Sequence, residues 1–169
     1  MPACARLPGV RVLFVCLGNI CRSPTAEGVL AHLLREQGLE REIELDSAGT
    51  GAWHVGNPPD ARAARAALAR GIELTGAARQ VEVSDFERFD LLVALDRHNR
   101  DDLLRVAPDE QARAKVALLR EFDPQALAAG ELDVPDPYCG GERGFEDVVE
   151  IVIPACAGLL EALRDRVSA

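Results

Sequence analysis

The sequence predicts one α/β domain over residues 1–169, three layers deep, with a four-stranded parallel sheet and helices on both faces. Three observations carry this expectation. Four short apolar runs alternate with longer stretches of helical character, the pattern that builds parallel sheets. The first apolar run passes through a single Gly-Asn break into a helix, a compact strand–loop–helix unit. Finally, 169 residues at 48% hydrophobic content are enough to bury a core of their own.

The first strand is the unbroken apolar run from Val12 to Val15, which reads as buried on both faces. It reaches Cys16 and breaks at Gly18-Asn19. Behind the break, Ser23 is the expected N-cap and Pro24 the first helical residue. Ala26, Val29, Leu30, Leu33 and Leu34 then form one apolar stripe, which Gly38 should end.

Residues 43–47 alternate as a second strand, running into a loop at Ala48-Gly49-Thr50-Gly51. Residues 53–60 are too polar and proline-rich for either regular element. Residues 60–70 read as an Ala-rich helix closed by Gly71, with Arg62, Arg65 and Arg70 on a solvated face. A helical turn is expected over 85–89 and a third strand over 90–95, with Asp96 capping the helix that follows. Residues 115–119 are the fourth strand, and 132–141, with two prolines and two glycines, a loop. A long stripe from Phe145 to Val167 marks the last helix, with a kink expected near Glu150 to Pro154.

Composition narrows the function. The formal net charge of -9 argues against nucleic acid as a partner, because such binding needs a basic face. No apolar run approaches the ~18 residues of a membrane-spanning helix. The opening residues 1–8 hold no apolar core of a signal peptide. Five cysteines without paired spacing suit free thiols in a reducing cytoplasm.

The chemistry sits in the first break. Cys16 and Arg22 flank five residues, Leu17, Gly18, Asn19, Ile20 and Cys21, with Ser23 next. A loop of that length can curl its amides inward onto one tetrahedral oxyanion at a helix N-terminus. Arg22 closes the ring with a planar fork able to hold two phosphate oxygens. The same positive field favours a thiolate at Cys16, and the Ser23 hydroxyl can donate to it. The pattern describes a nucleophile aimed at phosphorus.

The longer string Val15-Cys16-Leu17-Gly18-Asn19-Ile20-Cys21-Arg22-Ser23-Pro24-Thr25-Ala26-Glu27 resembles the low-molecular-weight protein tyrosine phosphatases. The resemblance implies four parallel strands with the phosphate loop at their carboxyl ends, and an enzyme working without metal or cofactor. It implies hydrolysis of aryl phosphate monoesters such as phosphotyrosine through a phosphocysteine. Asp136-Pro137-Tyr138 is similar to the family's D-P-Y signature, which makes Asp136 the general acid and Tyr138 one wall of the crevice. Trp53 would be the facing wall and Ser47, in an S-A-G-T pattern, a support of the phosphate loop. The residues alone leave Ser47 open as a strand-end serine, Trp53 as a core lid and Asp136 as a turn aspartate. Asp96 is assigned a structural role. The implied partner is a phosphotyrosyl protein, tyrosine kinases among the candidates, with the enzyme a cytoplasmic monomer or weak dimer.

Departures from the family pattern are visible too. Gly76 stands where many members carry a histidine bonded to acids matching Glu27 and Asp46, so the support network must differ. Cys139 replaces a frequent second aromatic. Ile20 resembles tyrosine-directed rather than phosphoarginine-directed members. Two other readings remain at this level: an arsenate reductase on the same scaffold, and a phosphoryl carrier or phosphopeptide-binding module that does not hydrolyse.

Overall fold

The computed structural model describes residues 9–168; the expectations for residues 1–8, Cys4 included, lie outside it. Its strands are β1 (Val10–Cys16), β2 (Ile43–Gly49), β3 (Leu91–Ala94) and β4 (Val116–Leu118). Its helices are α1 (Arg22–Gln37), α2 (Ala61–Leu68), α3 (Asp85–Arg88), α4 (Arg97–Val106), α5 (Glu110–Arg113), α6 (Pro124–Ala129) and α7 (Glu142–Val167). A 3-10 turn, Leu119–Phe122, follows β4.

The four strands form one parallel sheet in the order β2-β1-β3-β4. Because side chains alternate along a strand, β1 feeds two cores. Val10, Val12, Phe14 and Cys16 face α1 and α7, burying Val29, Leu30, Leu34, Val152, Cys156 and Leu159. Leu13 and Val15 face the other way, onto Phe86 of α3, Leu103 of α4 and Leu118. Helices therefore cover both faces, as the sequence predicts, and β1 is central. Among the described residues no helix is long and apolar enough to cross a membrane.

Several boundaries shift for physical reasons. β2 continues through Ala48 and Gly49 because Gly49 pairs with Cys16 and bridges to Gln80. α1 begins at Arg22 with Cys21 before it, and no side chain caps it. Ser23, expected as the cap, lies inside the helix, fully buried, with its hydroxyl turned to Cys16. α2 stops at Leu68, capped at its start by the Asp60 carboxylate. Arg62 is not a plain solvated residue, since its guanidinium lies over the buried Phe145 ring. The short α5, the 3-10 turn and α6 are additions to the expected elements. α7 runs as one helix through Pro154, and Gly38 ends α1 in the left-handed conformation its role requires.

Candidate active site

β1 delivers Cys16 to the carboxyl end of the sheet, and residues 17–21 wind from there into α1. Backbone bonds from neighbouring segments staple this loop: Thr50 N–H donates to the Cys16 carbonyl (2.9 Å), Gly51 to Leu17 (2.9 Å) and Asp60 to Ile20 (2.8 Å). The turn itself is made at Asn19, whose φ of 57° is left-handed. Asparagine tolerates that conformation, and here its side chain is fully used. Its amide nitrogen donates to Ser23 Oγ (2.9 Å) and Ser47 Oγ (3.0 Å), and its carbonyl accepts from Arg79 N–H (3.0 Å).

Cys16 is buried. Its Sγ receives the Asn19 backbone N–H at 3.2 Å and lies 3.0 Å from Ser23 Oγ. The Asn19 amide thus donates to the sulfur, and the Ser23 hydroxyl lies within hydrogen-bond reach of it. Cys21, the other thiol of the loop, is held differently. Burial, then the charges of Asp60, Cys16 and Asp136, push its pKa up to about 12, so it stays a protonated thiol at neutral pH.

Arg22 has a side chain only 3% exposed. Its Nη1 donates to Asp96 Oδ2 (2.5 Å) and to the Val134 carbonyl (3.0 Å), while Nη2 lies 3.6 Å from Asp136 Oδ2. Burial by itself would lower its pKa, but Cys16, Asp96 and Asp136 outweigh that and raise it. The guanidinium is a fixed cation. Asp96 does two jobs: Oδ1 caps α4 through Asn99 N–H at 2.7 Å, and Oδ2 orients Arg22. The sequence assigned only a structural role; the adjacency of the ends of β1 and β3 is the signal that points to the second.

Cys16, Leu17, Gly18, Ile20, Cys21 and Arg22 floor an open cleft walled by Trp53, His54, Asp136 and Tyr138. Trp53 is 73% exposed and Tyr138 44%, so neither is a core lid. The indole lies directly on Gly51, where an added Cβ would come within 1.8 Å of the ring. His54, not singled out from sequence, has its ring 5.6 Å from that of Tyr138. Asp136 stands at the rim, 46% exposed, with Oδ1 accepting from Tyr138 N–H at 3.0 Å. This aspartate–proline turn leaves the second oxygen facing Arg22, 3.6 Å from Nη2.

Ser47 lies behind the loop, receiving Asn19 and donating to Glu27 Oε2 at 2.6 Å. Glu27, Asp46 and Gly76 line one cavity there. With no side chain at Gly76, Ser47 satisfies Glu27 and Arg79 takes Asp46, through Nε at 3.0 Å and Nη2 at 2.9 Å.

A buried cysteine under a curled loop, closed by a fixed arginine at the carboxyl edge of a parallel sheet, makes a geometry suited to holding an anion. Residues 11–169 match the family model described as low molecular weight phosphotyrosine protein phosphatase. A low-molecular-weight protein-tyrosine-phosphatase of Streptomyces coelicolor is 52% identical, covering 93% of this chain and 95% of its own. The human low-molecular-weight phosphotyrosine protein phosphatase is 40% identical over 89% of this chain and 93% of its own. Among solved structures, a protein tyrosine phosphatase of Entamoeba histolytica superposes with a TM-score of 0.87 at 38% identity, covering 92% and 97% of the two chains. The chain belongs to the low-molecular-weight phosphotyrosine protein phosphatase family, whose members are phosphoric monoester hydrolases.

Proposed function

We propose that the protein dephosphorylates phosphotyrosyl proteins through a phosphocysteine intermediate, with Asp136 as general acid. The observation that carries this reading is the convergence of Cys16 Sγ, the Arg22 guanidinium and the Asp136 carboxyl on one cleft walled by aromatic rings. The aryl ring enters between Trp53 and Tyr138, which brings its phosphate down onto the loop. Ring contacts of this kind contribute about 0.5–1.5 kcal/mol beyond burial. Leu17, Gly18, Asn19, Ile20, Cys21 and Ser23 supply the cradle, and Arg22 spans two equatorial oxygens.

Cys16 thiolate attacks phosphorus in line while Asp136 gives its proton to the departing phenolic oxygen. The P–O bond breaks, the S–P bond forms, and Asp136 is left as a carboxylate. That carboxylate then takes a proton from water as the water displaces sulfur and releases phosphate. Ser23 and the Asn19 amide stabilise the sulfur both as attacking and as leaving group. Ser47 and Glu27 hold Asn19 and act through it.

We place this activity in a cytoplasmic monomer or weak dimer, a single domain, with tyrosine kinases among its phosphoprotein partners. Free thiols at all four described cysteines are compatible with a reducing compartment.

The test is a set of variants assayed on phosphotyrosine, phosphoserine and phosphoarginine peptides and on arsenate. Turnover should be confined to phosphotyrosine. Cys16→Ser should abolish it while retaining vanadate binding, and Arg22→Lys should fail because an ammonium cannot span two oxygens. Asp136→Ala should lose on the order of 10²–10⁴-fold, less as the leaving group becomes more acidic. Ordinary turnover by Cys16→Ser would overturn the reading.

A further inference from the structure

The loop that carries Asp136 is held unequally at its two ends. On the amino side, Val134 N–H donates to the Leu95 carbonyl (2.8 Å), and the Asp133 carbonyl accepts from Arg120 Nη1 (2.9 Å). The Asp133 carboxylate also receives the Arg97 backbone N–H at 2.8 Å. On the carboxyl side, the Gly141 carbonyl accepts from Gly144 N–H (3.1 Å) where α7 begins, and one side-chain hydrogen bond reaches residues 136–141 from outside among the described residues. Arg62 Nη2 donates to the Tyr138 carbonyl at 3.2 Å.

Arg62 itself is fixed on several sides. Its Nε and Nη2 form a fork on Asp60, at 3.1 Å to Oδ1 and 3.0 Å to Oδ2. Its guanidinium carbon lies 4.5 Å from the centre of the buried Phe145 ring and 5.7 Å from that of Tyr138. Asp60 in turn is tied to the phosphate loop, because its N–H donates to the Ile20 carbonyl at 2.8 Å. A continuous path therefore runs from the nucleophile's loop through Asp60 and Arg62 to the acid's loop. It ends on Tyr138, whose own N–H holds the Asp136 carboxylate at 3.0 Å.

Resting on the phosphatase reading above, we infer that the Asp60–Arg62 pair is a positioning strut that sets the general acid Asp136 at its working distance from the Cys16 loop. The reason is geometric. Asp136 is bound to the N–H of Tyr138, the residue whose carbonyl Arg62 fastens, so a loop freed at that point can swing the carboxyl away from the leaving oxygen. A general acid contributes only when the proton lies within hydrogen-bond reach of its target. The cradle around Cys16 keeps its own staples from Thr50 and Gly51, so phosphate binding does not depend on the strut.

Arg62→Gln and Asp60→Asn test this in the full chain, with kcat/KM measured for phenyl phosphate and for p-nitrophenyl phosphate. Phenolate is the poorer leaving group and needs the proton; p-nitrophenolate needs it far less. In both variants the phenyl to p-nitrophenyl ratio should fall about ten-fold, part of the 10²–10⁴-fold a whole general acid supplies. The basic limb of the pH profile for phenyl phosphate should weaken alongside. Inhibition by vanadate should stay within about two-fold of the parent, which separates a misplaced acid from a damaged cradle. Arg62→Lys, which can still reach the carbonyl but cannot fork on Asp60, should recover part of the ratio. An unchanged ratio in Arg62→Gln, or an equal loss on both substrates, overturns the inference. If the parent protein fails to hydrolyse either ester, the phosphatase reading fails first. If the parent and Asp136→Ala behave as proposed while Arg62→Gln keeps its ratio, the strut alone is wrong.

Discussion

Glu27 shows how far a residue behind the site can feel its position. Burial raises its pKa above the ordinary 4.5, with neighbouring Asp46 adding to the effect, against the Ser47 hydrogen bond and Arg79, which lower it. A carboxyl with a raised folded pKa keeps its proton in the native state after the unfolded chain has lost it. Its contribution to stability is therefore full below the ordinary value and is lost as pH rises through the raised one. Glu27→Gln fixes the neutral form and keeps an oxygen to accept from Ser47. The melting temperature of the variant minus that of the parent should then grow as pH moves from below 4.5 to neutrality. Thermal unfolding across that range measures it, and a difference independent of pH would contradict the assignment. Cys16, Arg22 and Ser23 could be set side by side from the sequence because one short loop spaces them, whereas Ser47, Trp53, Asp136 and Tyr138 were named through the family resemblance. Asp96 as a partner of Arg22, Arg62 over Phe145 and His54 beside Tyr138 needed the fold, because each contact joins segments distant in sequence.

Among the elements, α7 illustrates a constraint that periodicity hides. Its buried stripe was readable, but its seat on the 3-10 turn after β4 depends on one glycine. A Cβ at Gly158 would stand 1.8 Å from the Phe122 carbonyl oxygen, and backbone cannot step aside as a side chain can. Gly158→Ala should force the helix off the turn and cost about 1–3 kcal/mol, the range for overpacking. Urea unfolding gives the loss directly. Activity per folded molecule should stay close to the parent's, since the cleft lies elsewhere. Long periodic helices such as α1 and α7 could be read from sequence because burial repeats over several turns. α5, the 3-10 turn and α6 span four to six residues each, too short for any period to show. The cap of α1 misled for a chemical reason: a serine ahead of a proline has the composition of an N-cap, yet here its hydroxyl serves the cysteine.

At the scale of the whole molecule, strand alternation made a parallel sheet readable but not its order; β2-β1-β3-β4 sets β1 between two neighbours and puts the Cys16 loop in the middle of one edge. Charge is the feature that the fold does not resolve. The chain carries a formal net charge of -9, and its proposed substrate is an anion. The loop amides and Arg22 supply a positive field over a few ångströms, while the net charge repels from further out. Salt separates the two, because the Debye length is about 30 Å at 0.01 M and about 8 Å at 0.15 M ionic strength. A phosphotyrosine peptide with acidic flanks should therefore be disfavoured against one with basic flanks at low salt, chiefly through its rate of encounter. Raising sodium chloride should shrink the ratio of their kcat/KM values several-fold, and using the ratio cancels any competition by chloride for the loop. A ratio that stays flat with salt would mean that flanking residues are read by contact at the rim, around Trp53 and His54, and that the net charge has no part in choosing the substrate.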